Sequence, residues 1–451
     1  MRPSEQNTGA YVEQSCTVDQ TLSSSMSTSA SGSYSTEITS SYLCHKLKEL
    51  ASEMLVDGNT AVLPSEAEKW SSLEEIVARG DLRELLSACA RSTENNDLYS
   101  FEWLVTELSK MVSVFGDPIQ RLGAYMMEGL VARLESSGTA IYRALKCKEP
   151  TGSALFSYMS LLYDICPYFK FGHLSANGAI AEAMKNESRV HVIDFQIAQG
   201  GQWVTLIQAL GGRPGGPPRF RLTAIDDSVS SYARGGGLSI VGERLKKLAE
   251  MNGVPFEFTA ARVSASEIEL EDIEIREGEA VAANFSLMLH HVLDESTGQN
   301  NRDRLIRMVK KMSPKVVALV EQESNTNTAP FLARFEETMR YYLAVFESID
   351  VCLGRDDKER INVEQHCLAK EVVNIIACEG VERVERHELL AKWRSRFNMA
   401  GFTQYPLNTL VNSTIKTLME NYSDRYTLEE RDGALYLGWN GRHLITSSAW
   451  R

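Results

Sequence analysis

The stretch RVHVIDFQIAQGGQWVTLIQAL, Arg189 to Leu210, decides the fold. An apolar-rich run from Val190 through His191, Val192 and Ile193 ends in Asp194, a polar loop then carries Gly200 and Gly201, and an amphipathic run begins at Gln202. That order predicts a buried strand, a glycine turn and a helix, the opening unit of a nucleotide-binding type of α/β sheet. In a dinucleotide or adenosylmethionine site the glycines directly follow the strand, so that backbone can approach the ligand without a Cβ in the way. Here Phe195, Gln196, Ile197, Ala198 and Gln199 fill those positions. The stretch therefore speaks clearly about fold and weakly about chemistry.

Downstream, apolar strands alternate with helical segments. GGRPGGPP, Gly211 to Pro218, is too rich in turn residues for a helix or a central strand. Strands are predicted at Phe220–Ile225, Phe256–Ala260, Ala280–Phe285 and Val316–Val320, with helices at Leu238–Met251 and Asn301–Lys311 between them. The acidic segment Glu267–Glu279 reads as a solvated helix and loop, and Gly401–Tyr405 as a sixth strand. Tyr426–Leu437 reads as a hairpin turning at Gly433, and the chain closes in an edge hairpin carrying Trp439 and Trp450. Strand and helix in alternation mean a mostly parallel sheet with right-handed crossovers.

Upstream, Phe101, Leu104, Val105, Leu108, Met111, Val112 and Phe115 repeat at helical spacing, and Pro118 fits the first turn of the next helix. Three segments result. Residues 1–41 form a disordered Ser/Thr-rich tail that cannot bury enough surface to offset its ordering entropy. Residues 42–185 form a helical cap, and residues 186–451 an α/β core. The fold class expected is a Rossmann-like, methyltransferase-like α/β fold with an N-terminal helical cap.

Of the 451 residues 43% are apolar and 24% charged, which describes a water-soluble globular chain without a membrane span. MRPSEQNTGA lacks the apolar core of a signal peptide, so the chain is expected inside the cell. The eight cysteines show no CxxC pairing and are expected to be reduced core residues, with no metal set. A net charge of −13 argues against gripping nucleic acid by bulk electrostatics.

Five motifs in order carry a resemblance. They are a leucine-rich stretch from Leu82 to Leu134, VHVID at Val190 to Asp194, and a second leucine-rich stretch around Ala282 to Leu293. Pro314 with Phe331 to Tyr342 and RVERHE at Arg383 to Glu388 follow, and the chain ends in Ser448, Ala449 and Trp450. Together they resemble the plant GRAS family of scarecrow-like transcriptional regulators, over about residues 69–451. GDPIQRLGAYMMEGLVARL and RGGGL are most like the branch associated with phytochrome A signalling, and the acidic motifs of the gibberellin-repressor branch are absent.

The resemblance implies a non-enzymatic regulator in light or developmental signalling. It implies action in the nucleus with a share in the cytoplasm, and no cofactor. Its implied partners are DNA-binding transcription factors, zinc-finger proteins among them, coregulators, and other GRAS proteins in homo- or heterodimers. The alternative is a small-molecule-binding or adenosylmethionine-dependent methyltransferase-like domain. Its crevice would be built from Asp194, Gln196, Gly200, Gly201, Asp226 and His290, with Asp226 meeting ribose hydroxyls.

Two surface readings remain open. Leu82, Leu85 and Leu86 spell LRELL, a pattern that coregulator helices lay into an apolar groove, and its spacing equally describes a buried helix. Arg304, Arg307 and Lys310 form the basic patch with least acid beside it, the candidate for nucleic-acid contact. Arg383, Arg386, Arg394 and Arg396 alternate with glutamates and read as a salt-bridged surface face.

Overall fold

The computed structural model describes residues 66–135, 148–261 and 263–451. The tail assigned to residues 1–41 and the helical signals from Tyr42 to Pro64 lie outside them.

Five parallel strands carry out the predicted alternation: β1 (Arg189–Asp194), β2 (Arg219–Ala224), β3 (Phe256–Ala260), β4 (Ala280–Ser286) and β5 (Val316–Gln322). They lie in the order β3-β2-β1-β4-β5, so β1 sits at the centre and the order reverses between β1 and β4. Four short or late strands complete the sheet: β6 (Gln404–Tyr405), β7 (Tyr426–Arg431), β8 (Ala434–Trp439) and β9 (Arg442–Trp450). β9 runs antiparallel to β5, with Val317 opposite Trp450 and Gln322 opposite Ile445. β8 and then β7 follow on its far side, and β6 pairs with the last two residues of β9. This is a methyltransferase-like, mostly parallel Rossmann sheet. The C-terminal segment is thus not an edge hairpin, because β9 is an interior strand and the edge is β7.

Alternate residues of each strand face opposite layers. Val190, Val192, Leu222, Ala282 and Ala318 enter one core, and Ile193, Val281, Ala283, Phe285 and Leu319 the other. The first core is covered by a helical layer that begins with α1 (Glu66–Arg79), α2 (Leu82–Glu94), α3 (Leu98–Met111), α4 (Pro118–Leu134), α5 (Gly152–Ile165) and α6 (Pro167–Ala183). Asp117 caps α4 in a capping box with Gln120, with Pro118 in its first turn. After β1 come α7 (Gly201–Gly211), α8 (Ser228–Arg234), α9 (Ser239–Met251) and α10 (Asn301–Lys311). The second half of the chain adds α11 (Phe331–Ile349), α12 (Lys358–Val363), α13 (Ala369–Ala377), α14 (Leu390–Met399) and α15 (Thr409–Glu420).

α11 and α13 pack against α2 and α4, so the helical layer is completed by residues that follow the sheet's fifth strand. A buried ion cluster fixes this junction. Arg121 donates Nε to both oxygens of Glu364 at 3.1 and 3.2 Å, Arg360 Nη1 reaches the same carboxylate at 2.5 Å, and all three residues are fully buried. The opposite face of the sheet is covered by α10 and α14, through Leu305, Val309, Trp393 and Phe397.

The acidic segment differs from its reading. Residues 267–279 hold a single 3₁₀ turn, Leu270–Asp272, and otherwise no helix. Ile268 and Ile273 both enter the core, a spacing of five that one helix face does not provide, and like charges three and four residues apart work against a helix there.

Candidate functional site

Asp194 ends β1 at the centre of the sheet, where an α/β fold of this order places its ligand crevice. Its carboxylate is 1% exposed. Oδ2 accepts the indole N–H of Trp203 at 2.7 Å, and Oδ1 accepts the side-chain amide of Asn284 at 2.9 Å. Gln202 extends the network, donating Nε2 to Asn284 at 3.1 Å and to Asn177 at 3.2 Å. Burial pushes the Asp194 carboxyl up to about 6, against those donors. Beside it Phe195 stacks on Phe285 with ring centroids 4.5 Å apart.

The crevice candidates fall in different surroundings. Asp226 is held by Arg234 at 2.5 Å, and Arg234 also donates to the carbonyl of Ala198 at 2.7 Å, closing the loop after β1. Gln196 contributes its backbone N–H to Asp194 at 3.4 Å. Gly200 has φ +69°, and a Cβ there would meet Val241 at 2.7 Å, so this glycine serves a left-handed turn and the packing of α7 on α9. Gly201 starts α7 and is exposed. His290 is not part of this group; it belongs to a second cluster one strand away. At the end of β1, Asp194, Trp203, Gln202, Asn284 and Asn177 thus form one hydrogen-bonded network rich in amides. His191 is buried too, with Nε2 2.8 Å from Thr223 Oγ1, and burial beside Arg221 lowers it to about 4.

The second cluster lies at the C-terminal ends of β4 and β5. His290 Nδ1 is 2.6 Å from Glu321 Oε2, and the other oxygen of Glu321 accepts the backbone N–H groups of Met288 at 3.2 Å and Leu289 at 2.8 Å. Glu385 reaches in from the RVERHE segment, its backbone N–H bonded to Asn374 Oδ1 at 3.0 Å. Three imidazole nitrogens surround its carboxylate: His291 Nε2 at 3.2 Å, His387 Nε2 at 3.5 Å and His290 Nε2 at 3.6 Å. Burial works against charge on Glu385, yet the neighbouring His291 holds it down at about 2. Burial and the charge of Glu385 push Glu371 the other way, up to about 8, while Tyr342 donates its hydroxyl to it at 2.6 Å.

With this geometry in hand, comparison with known proteins decides the family. Residues 82–451 match the GRAS domain family. The chain belongs to the GRAS family. It is 68% identical to Scarecrow-like protein 5 of Arabidopsis thaliana over 378 residues, 84% of this chain and 63% of that protein, so it spans less than two thirds of that relative. It is 61% identical to the Scarecrow-like transcription factor PAT1 of Arabidopsis thaliana over 420 residues, 90% of this chain and 86% of that protein. The crystal structure of SCL7 in Oryza sativa superposes with a TM-score of 0.74 at 33% identity, covering 82% of this chain and 99% of that one.

The remaining GRAS motifs fall as follows. Leu82, Leu85 and Leu86 are 7%, 1% and 0% exposed, facing α4 and α11 inside the helical layer, so the LRELL pattern is a core stripe and not a free recruiting face. The basic patch is only partly open. Arg304 is bound to Glu269 at 2.5 Å and to the carbonyls of Ser266 and Ile268, and Lys310 lies over the ring of Phe402 at 4.6 Å. Arg307 and Lys311 are exposed.

The RVERHE arginines are not a surface face. Arg386 is 1% exposed and Glu388 0%, and Arg396 binds both oxygens of Glu388 at 2.7 and 2.8 Å. Asp294, Arg302 and Asn327 join this interior network, which the regular alternation of charge hid. Sequence reasoning also missed Glu321, Glu385 and His387 as members of one cluster. The usable signal was a histidine pair just past a buried strand, joined to a third histidine and a glutamate far along the chain.

Among the described residues no helix is long and apolar enough to cross a membrane.

Proposed function

We propose that this GRAS chain is a plant transcriptional regulator that works as a non-enzymatic scaffold, joining DNA-binding partners to coregulators in the nucleus. Relatives at 68% and 61% identity bear scarecrow-like and transcription-factor names, and its motifs resemble the phytochrome A branch. The observation that carries the non-enzymatic reading is the Asp194 carboxylate. Both its oxygens are occupied by Trp203 and Asn284 at the point where a methyltransferase of this fold would receive its cofactor. The net charge of −13 favours contact with DNA through partner proteins rather than by phosphate neutralisation.

A tethering experiment tests the reading. Fused to a heterologous DNA-binding domain in plant nuclei, the chain is expected to change transcription of a reporter bearing that domain's site, while the unfused chain leaves the same reporter unaltered. A fused chain that shifts neither an activation nor a repression reporter sinks the scaffold reading.

A further inference from the structure

The cluster around Glu385 holds an arrangement that protein hydrogen bonds alone do not complete. A carboxylate can only accept, so the 2.6 Å contact with Glu321 places a proton on His290 Nδ1, and the ring's other nitrogen, Nε2, faces Glu385 Oε2 at 3.6 Å. His387 repeats the pattern. Its Nδ1 lies 3.0 Å from Thr326 Oγ1, a hydroxyl that also reaches the carbonyl of Glu385, and its Nε2 is buried without a hydrogen-bond partner. Glu385 Oε2 is likewise buried without a hydrogen-bond partner, with only the two longer imidazole contacts beside it. The buried Nε2 atoms and the Glu385 carboxylate thus enclose a place for a cation, taken by ring protons when the imidazoles are charged and open to a metal ion when they are neutral.

The geometry points to a divalent metal site, with zinc the favoured ion, in which His290 Nε2, His291 Nε2 and the Glu385 carboxylate are the ligands. The three ligand atoms lie within 4.8 Å of one another. His291 and His290 stand 3.2 and 3.6 Å from Glu385, close to the edge of about 3.3 Å that a tetrahedron of zinc ligands at about 2.0 Å requires. Imidazole and carboxylate together suit a borderline ion such as zinc rather than calcium or magnesium, which prefer all-oxygen shells.

The supporting shell is also in place. Glu321 orients His290 through the nitrogen that does not face the ion, as carboxylates do behind zinc-bound histidines. Backbone bonds fix both ligand segments, since the Arg386 N–H donates to the His290 carbonyl at 3.2 Å and the Thr326 N–H to the His387 carbonyl at 3.1 Å. His291, with a side chain 39% exposed, gives the ion its way in. His387 stands 3.5 Å from the same carboxylate, beside the ligand set, where a fourth position would otherwise go to water. Such an ion would clasp the loop after β4 to the RVERHE segment, two motifs 94 positions apart in the chain as counted from His291 to Glu385.

The test uses the full purified chain after dialysis against chelator. Titration with zinc chloride in a calorimeter is expected to show uptake of one ion, and H291A is expected to weaken it by about 100-fold or more. H291A alters a half-exposed side chain, and its melting temperature is read beside uptake to confirm that it folds; E385Q is the second variant, and H443A, outside the cluster, is the control with unchanged uptake. Substitution of cobalt(II) is expected to give visible bands of a nitrogen and oxygen shell. Three outcomes overturn the proposal: no uptake by the wild-type chain, uptake by H291A equal to wild type, or a thiolate charge-transfer band placing the ion on cysteines.

Discussion

Trp203 donates its indole N–H to Asp194 Oδ2 at 2.7 Å, joining the first helix of the sheet to the end of its central strand. That bond ties the strand end to the helix that follows it. Asn284 and Gln202 extend it into a buried polar network at the end of the VHVID strand.

Asp194→Asn tests the core role. All three partners of Asp194 are donors, so an amide in its place sets N–H against N–H and is expected to cost about 1–3 kcal/mol of stability. The pH dependence adds a second readout. Burial raises the Asp194 carboxyl to about 6, above its unfolded value, so the folded chain binds the extra proton. The stability this group contributes is then fully present below its ordinary carboxylate value, and is lost as the pH rises through about 6. Denaturant midpoints followed across that window should show this loss in the wild type and not in Asp194→Asn; equal slopes would contradict it.

Leu85→Ala and Leu86→Ala separate packing from recruitment. Both side chains are buried, so each change is expected to destabilise the chain by about 2–5 kcal/mol in urea unfolding. Variants that keep the wild-type midpoint yet lose a bound coregulator would restore LRELL as a docking motif.

Glu364→Gln probes the junction of the helical layer. The substitution leaves Arg121 and Arg360 buried with too little opposing charge, and a loss of about 3–5 kcal/mol is expected. Thermal melting within a degree or two of wild type would show that the cluster is not what fixes α4 to α12.

Truncation after Gly441 removes β9 from between β5 and β8. Two interior strands then present unpaired edges, and the truncate is expected to be insoluble. A soluble chain with a cooperative melt would contradict the interior placement.

The sequence made the local elements legible and left the long-range ones hidden. Val190 to Asp194, Phe256 to Ala260 and Asn301 to Lys311 are read correctly because one strand or one helix sets its own periodicity. The interior position of β9 was not readable, since nothing in Arg442 to Trp450 says which strand it will pair with. The same holds for Glu385, whose charge belongs to an apparently solvated Glu-Arg face until the fold brings it to His290 and His291. At Asp194 the strand end was legible, while its occupancy depended on where Trp203, Asn284 and Asn177 would meet.

Calorimetric titration of the full chain with adenosylmethionine is the most direct measurement of whether that central position is closed. With Trp203 and Asn284 holding both oxygens of Asp194, no saturable heat is expected even at millimolar ligand. Stoichiometric binding at micromolar ligand, abolished by Asp194→Asn, would contradict the filled crevice and with it the non-enzymatic reading.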